Sequence, residues 1–232
     1  MQLFYAPNIE KDSLLPEEEA RHALRVLRMN AGDEIDLIDG RGFFYHAAIE
    51  DTNPKHCALT ILSRTQQPKP WDYYLHIAVA PTKNIDRMEW FVEKATEVGI
   101  DEITFLNCRY SERREIKTAR LEKIIVSAMK QSYKATMPIL YEMTKFADFI
   151  TQPFAGRKMI AHCQEGEKPL IQQICQPKER VLVLIGPEGD FSTGEVEQAL
   201  QAGFEPISLG KSRLRTETAA LASCMTLAIL NQ

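Results

Sequence analysis

The sequence predicts an α/β protein preceded by a smaller strand-rich domain, and three observations carry that expectation. From residue 71 onward, apolar strand-like runs alternate with segments of helical periodicity, the rhythm of an α/β domain. Before residue 68 the apolar runs are short and separated by turn-forming residues. Between the two lies "QQPKP", residues 66–70, polar and holding two prolines, the composition of a linker. The expected domains are therefore 1–70 and 71–232.

In the first domain "QLFYA" reads as a strand. "PEEEARHALRVLRM" reads as a helix, with Pro16 at its first position and acids in its first turn. "DEIDLID", "GFFYHAAIE" and "HCALTILS" follow as three further strands. They are divided by Asp39-Gly40-Arg41-Gly42 and Asp51-Thr52-Asn53-Pro54, so a small antiparallel barrel with one helix is expected.

In the second domain "YYLHIAVA" opens as a strand. "NIDRMEWFVEKATEVG" sets Ile85, Met88, Phe91, Val92, Ala95 and Val98 on one helical face and stops at Gly99. "EITFLNC" is a strand, and "TARLEKIIVSAMKQSY" is a helix with Leu121, Ile124, Ile125, Ala128 and Met129 inside. "KMIAHC" and "RVLVLI" are buried strands. Ser192-Thr193-Gly194-Glu195 forms a capping box for the helix that runs to Gly203. "EPISL" is the last strand, and "ETAALASCMTLAIL" is apolar nearly all round, which predicts a buried helix.

Composition sets bounds on function. Hydrophobic content of 44% and charged content of 26% belong to an ordinary globular chain. The longest apolar stretch, "AALASCMTLAIL", is too short for a membrane span, which needs roughly 20 residues. The opening "MQLFYAPNIEKD" lacks the basic-then-apolar pattern of a secretion signal. Five cysteines without a C-x-x-C pair suit a reducing compartment, so a cytoplasmic protein is expected. Net charge is −4, but residues 109–134 hold eight basic against three acidic residues, a local +5. Such a stretch fits either a nucleic-acid surface or a solvated helix face.

Several nucleotide-like fragments fail on chemistry. Gly189 to Gly194 has P-loop spacing, but Glu195 stands where a lysine must meet phosphate. Gly210-Lys211-Ser212 has Glu205 in place of the first glycine. No metal-ligand spacing is present, and no metal site is expected.

Two loops remain. "IGPEGDFS" follows the strand 180–185, and the C-terminal end of a buried parallel strand is where α/β domains bind ligands. Gly186 and Gly189 are expected to take left-handed angles and to let the backbone approach a ligand, while Pro187 stiffens the loop. Glu188 and Asp190 disfavour a phosphate and tolerate a cation. Glycine and proline alone could simply turn the chain. "LGKSRLRTETA" tips the reading toward a site, because Lys211, Arg213 and Arg215 stand just before a buried helix, which is costly unless they face a partner. Polar backbone, a cation cluster and an apolar wall make a small-molecule site.

"GPEG…FS", "LG…LRTETA", "HALRVLRM", "GD…DG.G" and "K…E…VEKATEVG…R.SER" together resemble the RsmE family of ribosomal RNA uridine-N3 methyltransferases, within the SPOUT superfamily. The match runs from His22 to Ala219. The resemblance implies a PUA-like β-barrel for RNA over 1–70 and a SPOUT-type α/β domain with a C-terminal trefoil knot over 71–232. It further implies a homodimer, S-adenosylmethionine as cofactor, and a uridine of small-subunit (16S) ribosomal RNA in the assembled subunit as substrate. Three positions depart from the family pattern: Asp190 replaces an expected second glycine, Lys134 an expected arginine, and the arginine after "LG" has moved to Arg213, behind Ser212.

On that resemblance the cofactor residues are Ile185, Gly186, Pro187, Glu188 and Gly189 from the first loop. Leu209, Gly210 and Leu214 come from the second, with Thr216, Glu217, Thr218 and Ala219 at the helix it enters. Arg215 is expected to be catalytic, stabilising the anion that forms when uracil N3 loses its proton; an arginine cannot serve as the base. RNA is expected to meet Arg21, Arg25 and Arg28 on the first helix, together with Arg109, Arg113, Arg114 and Lys134. Rival readings are another SPOUT enzyme acting on transfer RNA or a different base, and a non-catalytic ribosome-assembly protein.

Overall fold

The structure, a computed structural model, describes residues 2–232. The chain forms two compact units: residues up to Pro70 with Val126–Met137, and Trp71–Ile125 with Pro138–Gln232.

The first unit contains β1 (Leu3–Tyr5), α1 (Ile9–Asp12), β2 (Leu14–Leu15), α2 (Glu17–Arg21), β3 (Glu34–Ile38), β4 (Phe43–Ile49) and β5 (Cys57–Gln66). Its sheet has the order β1-β3-β4-β5-β2. Strands β3, β4 and β5 form the expected antiparallel meander, but β1 joins β3 in parallel. The turn between β3 and β4 is built by Asp39, which is 3% exposed. Its carboxylate accepts the amides of Arg41 and Phe43 and the hydroxyl of Tyr45. Gly40 and Gly42 take φ of +79° and +98° there, angles that glycine adopts without strain. Alternate residues of β4 face a core made of Phe4, Ile9, Leu37, Tyr45 and Ile49. The helix that starts after Pro16 does not run regularly to Met29: beyond Arg21 it widens into a π turn over His22–Val26.

A single cut at residue 70 does not describe the division. Gly42 N–H donates to Ala135 O, Met137 N–H to Gly40 O, and Ala135 N–H to the Gln67 side chain, each at 2.9 Å. Lys130 pairs with Glu19 at 2.7 Å. Periodicity over 118–133 shows which face of a helix is apolar, and carries no information on which unit that face will join.

The second unit contains β6 (Tyr74–Val79), α3 (Ile85–Val98), β7 (Glu102–Asn107), α4 (Thr118–Gln131), β8 (Ile139–Lys145) and α5 (Phe146–Phe149). It continues with β9 (Arg157–Ala161), α6 (Ile171–Ile174), β10 (Arg180–Ile185), α7 (Thr193–Gln201), β11 (Glu205–Ile207) and α8 (Thr216–Leu230). The last part of α4 belongs to the first unit. All six strands are parallel, in the order β11-β9-β10-β6-β7-β8. Leu182 and Leu184 of β10 pack under Phe146, Phe149, Val196 and Ala199. Strand alternation therefore turns Val181 and Val183 to the other face. On α3 the Asn84 side chain caps the first turn, and Gly99 ends the helix at φ +122°. A Cβ on Gly99 would stand 2.7 Å from the Trp71 ring, so both backbone and packing demand glycine.

Helix α8 corrects one expectation. Its buried stripe is Thr216, Glu217, Ala220, Ser223, Cys224 and Leu227, but Met225 and Ile229 are 42% and 60% exposed. The helix packs on α3, α6, β6 and β10. Among the described residues no helix is long and apolar enough to cross a membrane.

Candidate functional site

Strands β9, β10 and β11 are neighbours and parallel, so their C-terminal ends, Ala161, Ile185 and Ile207, open on one edge of the sheet. A cleft of about 950 Å³ lies there. The loop after β10 and the loop after β11 form its walls, as the sequence predicts, and they are joined: buried Thr216 donates its hydroxyl to Gly186 O at 3.1 Å.

The loop after β10 is held partly by its own residues and partly by neighbouring chain. Asp190 N–H donates to Pro187 O at 2.9 Å, closing a turn that exposes Glu188 and Gly189 at its tip. The Glu188 carboxylate accepts the Lys83 amide at 2.9 Å, and Asp190 accepts those of Cys163 and Phe191, each at 2.8 Å. The capping box at Ser192 and Glu195 then starts α7. Neither Gly186 nor Gly189 has the left-handed angle expected of it. That angle falls to Asp190 at φ +65° and Gly210 at φ +117°. Space is tight at 186: a Cβ there would lie 3.1 Å from Phe191 N and 3.3 Å from Asp190 C.

Every residue expected to hold the cofactor lines the cleft except Glu217 and Thr218. Glu217 turns under α8, buried, with Oε1 3.8 Å from Arg87 Nε and Oε2 without a hydrogen-bond partner among the described residues; Thr218 lies on the exposed side of the helix. Arg215 lines the cleft, exposed, without an ion pair to Glu188 or Glu217. Lys211 and Arg213 stand beside it on the rim, also exposed.

Sequence reasoning missed a third wall. His162, Cys163 and Lys168, after β9, line the cleft, and so does Tyr110, after β7. The buried Nδ1 of His162 has no hydrogen-bond partner among the described residues, and burial, aided by Lys168, lowers the pKa of the ring. A lone histidine with no recognisable spacing gives no sequence signal. Parallel pairing of β9 beside β10 is what brings it in.

The residues expected on RNA differ in their local settings. Arg21 pairs with Glu17 on the same helix, whereas Arg25 and Arg28 are exposed without an ion pair among the described residues. Arg109 and Arg114 are exposed. Arg113 is spent on the protein: its guanidinium donates to Thr82 O at 3.1 Å and Lys83 O at 2.7 Å. Lys134 is only 9% exposed.

A second cavity, about 370 Å³, lies at the opposite, N-terminal edge of the sheet. Its polar centre is self-satisfied. Glu102 accepts from His76 Nδ1 at 3.0 Å and from the Tyr141 hydroxyl at 3.2 Å, and His76 Nε2 meets Thr104 Oγ1 at 2.8 Å. The His76 bond, with help from Tyr74 and Tyr141, holds the Glu102 carboxyl at about 2.

An all-parallel sheet with a cleft over its strand ends, in a chain that also carries a small strand-rich unit, defines an α/β ligand-binding domain with a companion module. The chain belongs to the RNA methyltransferase domain family, whose model matches residues 69–228; an RNA methyltransferase PUA domain model matches residues 15–62. A solved structure of a probable rRNA-methyltransferase from Porphyromonas gingivalis is 47% identical, covers 100% of this chain and 98% of that one, and has a TM-score of 0.94. A ribosomal RNA small subunit methyltransferase E from Neisseria gonorrhoeae, solved bound to S-adenosyl methionine, is 28% identical over 100% of this chain and 98% of that one, with a TM-score of 0.86. The ribosomal RNA small subunit methyltransferase E of Rickettsia conorii is 28% identical over 224 residues, 95% of this chain and 90% of that protein. The resemblance to the RsmE family holds through these relatives.

Proposed function

We propose that this protein transfers the methyl group of S-adenosylmethionine to N3 of a uridine in small-subunit ribosomal RNA, presented on the assembled subunit. The observation that carries the reading is the cleft itself: two glycine-containing loops tied by Thr216 and Gly186, in a chain similar to a cofactor-bound rRNA methyltransferase. The cleft's chemistry fits the cofactor. Ile185, Ile207 and Ala161 supply an apolar floor, Gly186 a close backbone approach, and His162 Nδ1 an unmade hydrogen bond.

Gly186, Pro187, Glu188 and Gly189 would hold the cofactor from one wall, and Leu209, Gly210, Leu214, Thr216 and Ala219 from the other. Bound there, it supplies an electrophilic methyl group on a cationic sulfur. Arg215 answers the negative charge that spreads over O2 and O4 as N3 gives its proton to water in the open cleft; its guanidinium is accessible. Arg25, Arg28, Arg109 and Arg114 would meet RNA phosphates. Met225 and Ile229, one turn apart on α8, support a homodimer, and Met225→Glu should shift the sedimentation of a dimer to that of a monomer.

The test is methyl transfer to small subunits, and separately to naked ribosomal RNA, from a strain lacking the gene, with modified nucleosides identified by mass spectrometry. One new 3-methyluridine, formed on subunits and weakly or not at all on naked RNA, is the expected result. Methylation of another base, or of transfer RNA, overturns it.

A further inference from the structure

Part of the cleft's third wall comes from the turn after β7. Cys108 to Ser111 form a tight turn after β7: Ser111 N–H donates to Cys108 O at 3.1 Å, and Cys108 N–H donates to Ser111 Oγ at 3.0 Å. Both end residues are buried, at 3% and 5% exposed. The Arg109 amide is clamped by buried Glu195, whose Oε1 accepts it at 2.8 Å. The stem is therefore rigid, yet the residue at its tip, Tyr110, is 50% exposed. Its ring lines the cleft, its Cβ lies beside Gly189, and the Arg109 guanidinium carbon is 5.9 Å from its ring centre. A single exposed aromatic needs no partner by itself, but this one is held by a braced turn on the lining of a ligand cleft, where an amphipathic ring offers a flat contact surface.

Three features decide what that partner is. Lys211, Arg213 and Arg215 give the same cleft an exposed cationic rim, which attracts a polyanion. Tyr110 sits at the mouth, where a ligand arriving from solvent meets it before reaching the floor formed by Ile185 and Ile207. A base taken out of an RNA stack loses its neighbours, and an aromatic ring restores one face of that stacking. We propose that Tyr110 is the stacking platform for the unstacked nucleobase that is brought to the cleft for methylation. The proposal rests on the RNA-methyltransferase reading above and adds to it the residue that positions the base. Stacking uses the ring and not the hydroxyl, so phenylalanine and tryptophan serve as well.

The experiment uses the full-length protein, with small ribosomal subunits as substrate and a short single-stranded RNA as binding probe. Tyr110→Ala should lower kcat/KM for the RNA substrate at least 10-fold while leaving the S-adenosylmethionine Kd, measured by calorimetry, within 2-fold; that second value also reports an intact fold. Tyr110→Phe should restore most of the loss. A stacked base releases no counterions, so the log–log salt slope of RNA binding should be the same for Tyr110→Ala and wild type. Arg213→Ala, which takes away a cation that meets phosphate, should flatten that slope by about 0.7. A matching loss of cofactor affinity in Tyr110→Ala, failure of phenylalanine to restore activity, or no effect on RNA overturns the assignment. Absence of methyl transfer by wild-type protein overturns instead the reading beneath it, and Tyr110 falls with it.

Discussion

Asp190 accepts the backbone amide of Cys163 at 2.8 Å while itself standing in the left-handed region, at φ +65°. The same carboxylate also accepts the amide of Phe191. The strand end at 161 and the loop after β10 are thus fastened by a side chain at a position where the family pattern favours glycine. Two effects oppose each other there. The left-handed conformation costs an ordinary residue about 1–2 kcal/mol, less for aspartate, whereas each charge-assisted bond to an amide contributes about 1.5–3 kcal/mol. The bonds win. Asp190→Gly should therefore lose at least about 1 kcal/mol in urea unfolding even though it relieves the backbone. Asp190→Ala, which keeps the strain and loses the bonds, should lose about 1 kcal/mol more; a glycine variant more stable than wild type would reverse this ranking.

Space at Gly186 is the second expectation. An alanine there meets backbone atoms of Asp190 and Phe191 at 3.1–3.3 Å, atoms that cannot rotate away. Gly186→Ala should weaken S-adenosylmethionine binding at least 10-fold in calorimetry while thermal unfolding stays cooperative. Gly194, in the first turn of α7, has nothing within 4 Å of where a Cβ would stand. Gly194→Ala should leave the cofactor Kd unchanged and raise stability by a few tenths of a kcal/mol to about 1 kcal/mol.

Arg215→Ala separates chemistry from binding. The side chain is exposed at the start of α8 and braces nothing among the described residues. Its removal should lower kcat roughly 100-fold or more, the size seen when one donor to a developing oxyanion is lost, with the cofactor Kd within about 2-fold. Equal losses in kcat and cofactor affinity would reassign it to the binding wall.

Glu102 links stability to pH. Its carboxyl is held at about 2 by His76, Tyr74 and Tyr141, below its ordinary value of 4.5. A depressed carboxylate contributes stability above its unfolded value, and that contribution disappears as pH falls through the folded one. Wild-type protein should therefore lose stability between about pH 4.5 and pH 2 through this group. Glu102→Gln should be less stable at pH 7 and show a shallower decline over that window, read by denaturant midpoints at each pH. Parallel curves for the two proteins would exclude the linkage.

Much of this molecule is legible in its sequence where chemistry and period agree. The apolar runs of β6, β7, β9 and β10 and the face of α3 built on Met88, Phe91, Val92 and Ala95 lie where the pattern puts them. Both cleft loops are readable because turn residues interrupt strong strands, and the capping box at Ser192 has a spacing that side-chain geometry dictates. Other parts leave no local trace. Strand β8, "ILYEMTK", is an exposed edge with polar residues and no clean alternation. The buried Glu217 lies in a motif that reads as ligand-facing, and only the direction of its side chain tells otherwise. Val126–Met137 joins the first unit through backbone bonds, which any sequence can make, and through polar side chains with no distinctive spacing. Tyr110 and His162 reach the cleft through strand order alone.

Glu195 gathers these threads. One oxygen grips the amide of Arg109, and the other takes both the amide and the hydroxyl of Ser192. The turn that carries Tyr110 and the loop after β10 are thereby riveted through a single acid that does not itself line the cleft. Loss of that rivet would be felt as poor alignment of reactants in a protein whose ligand-facing residues are all still present.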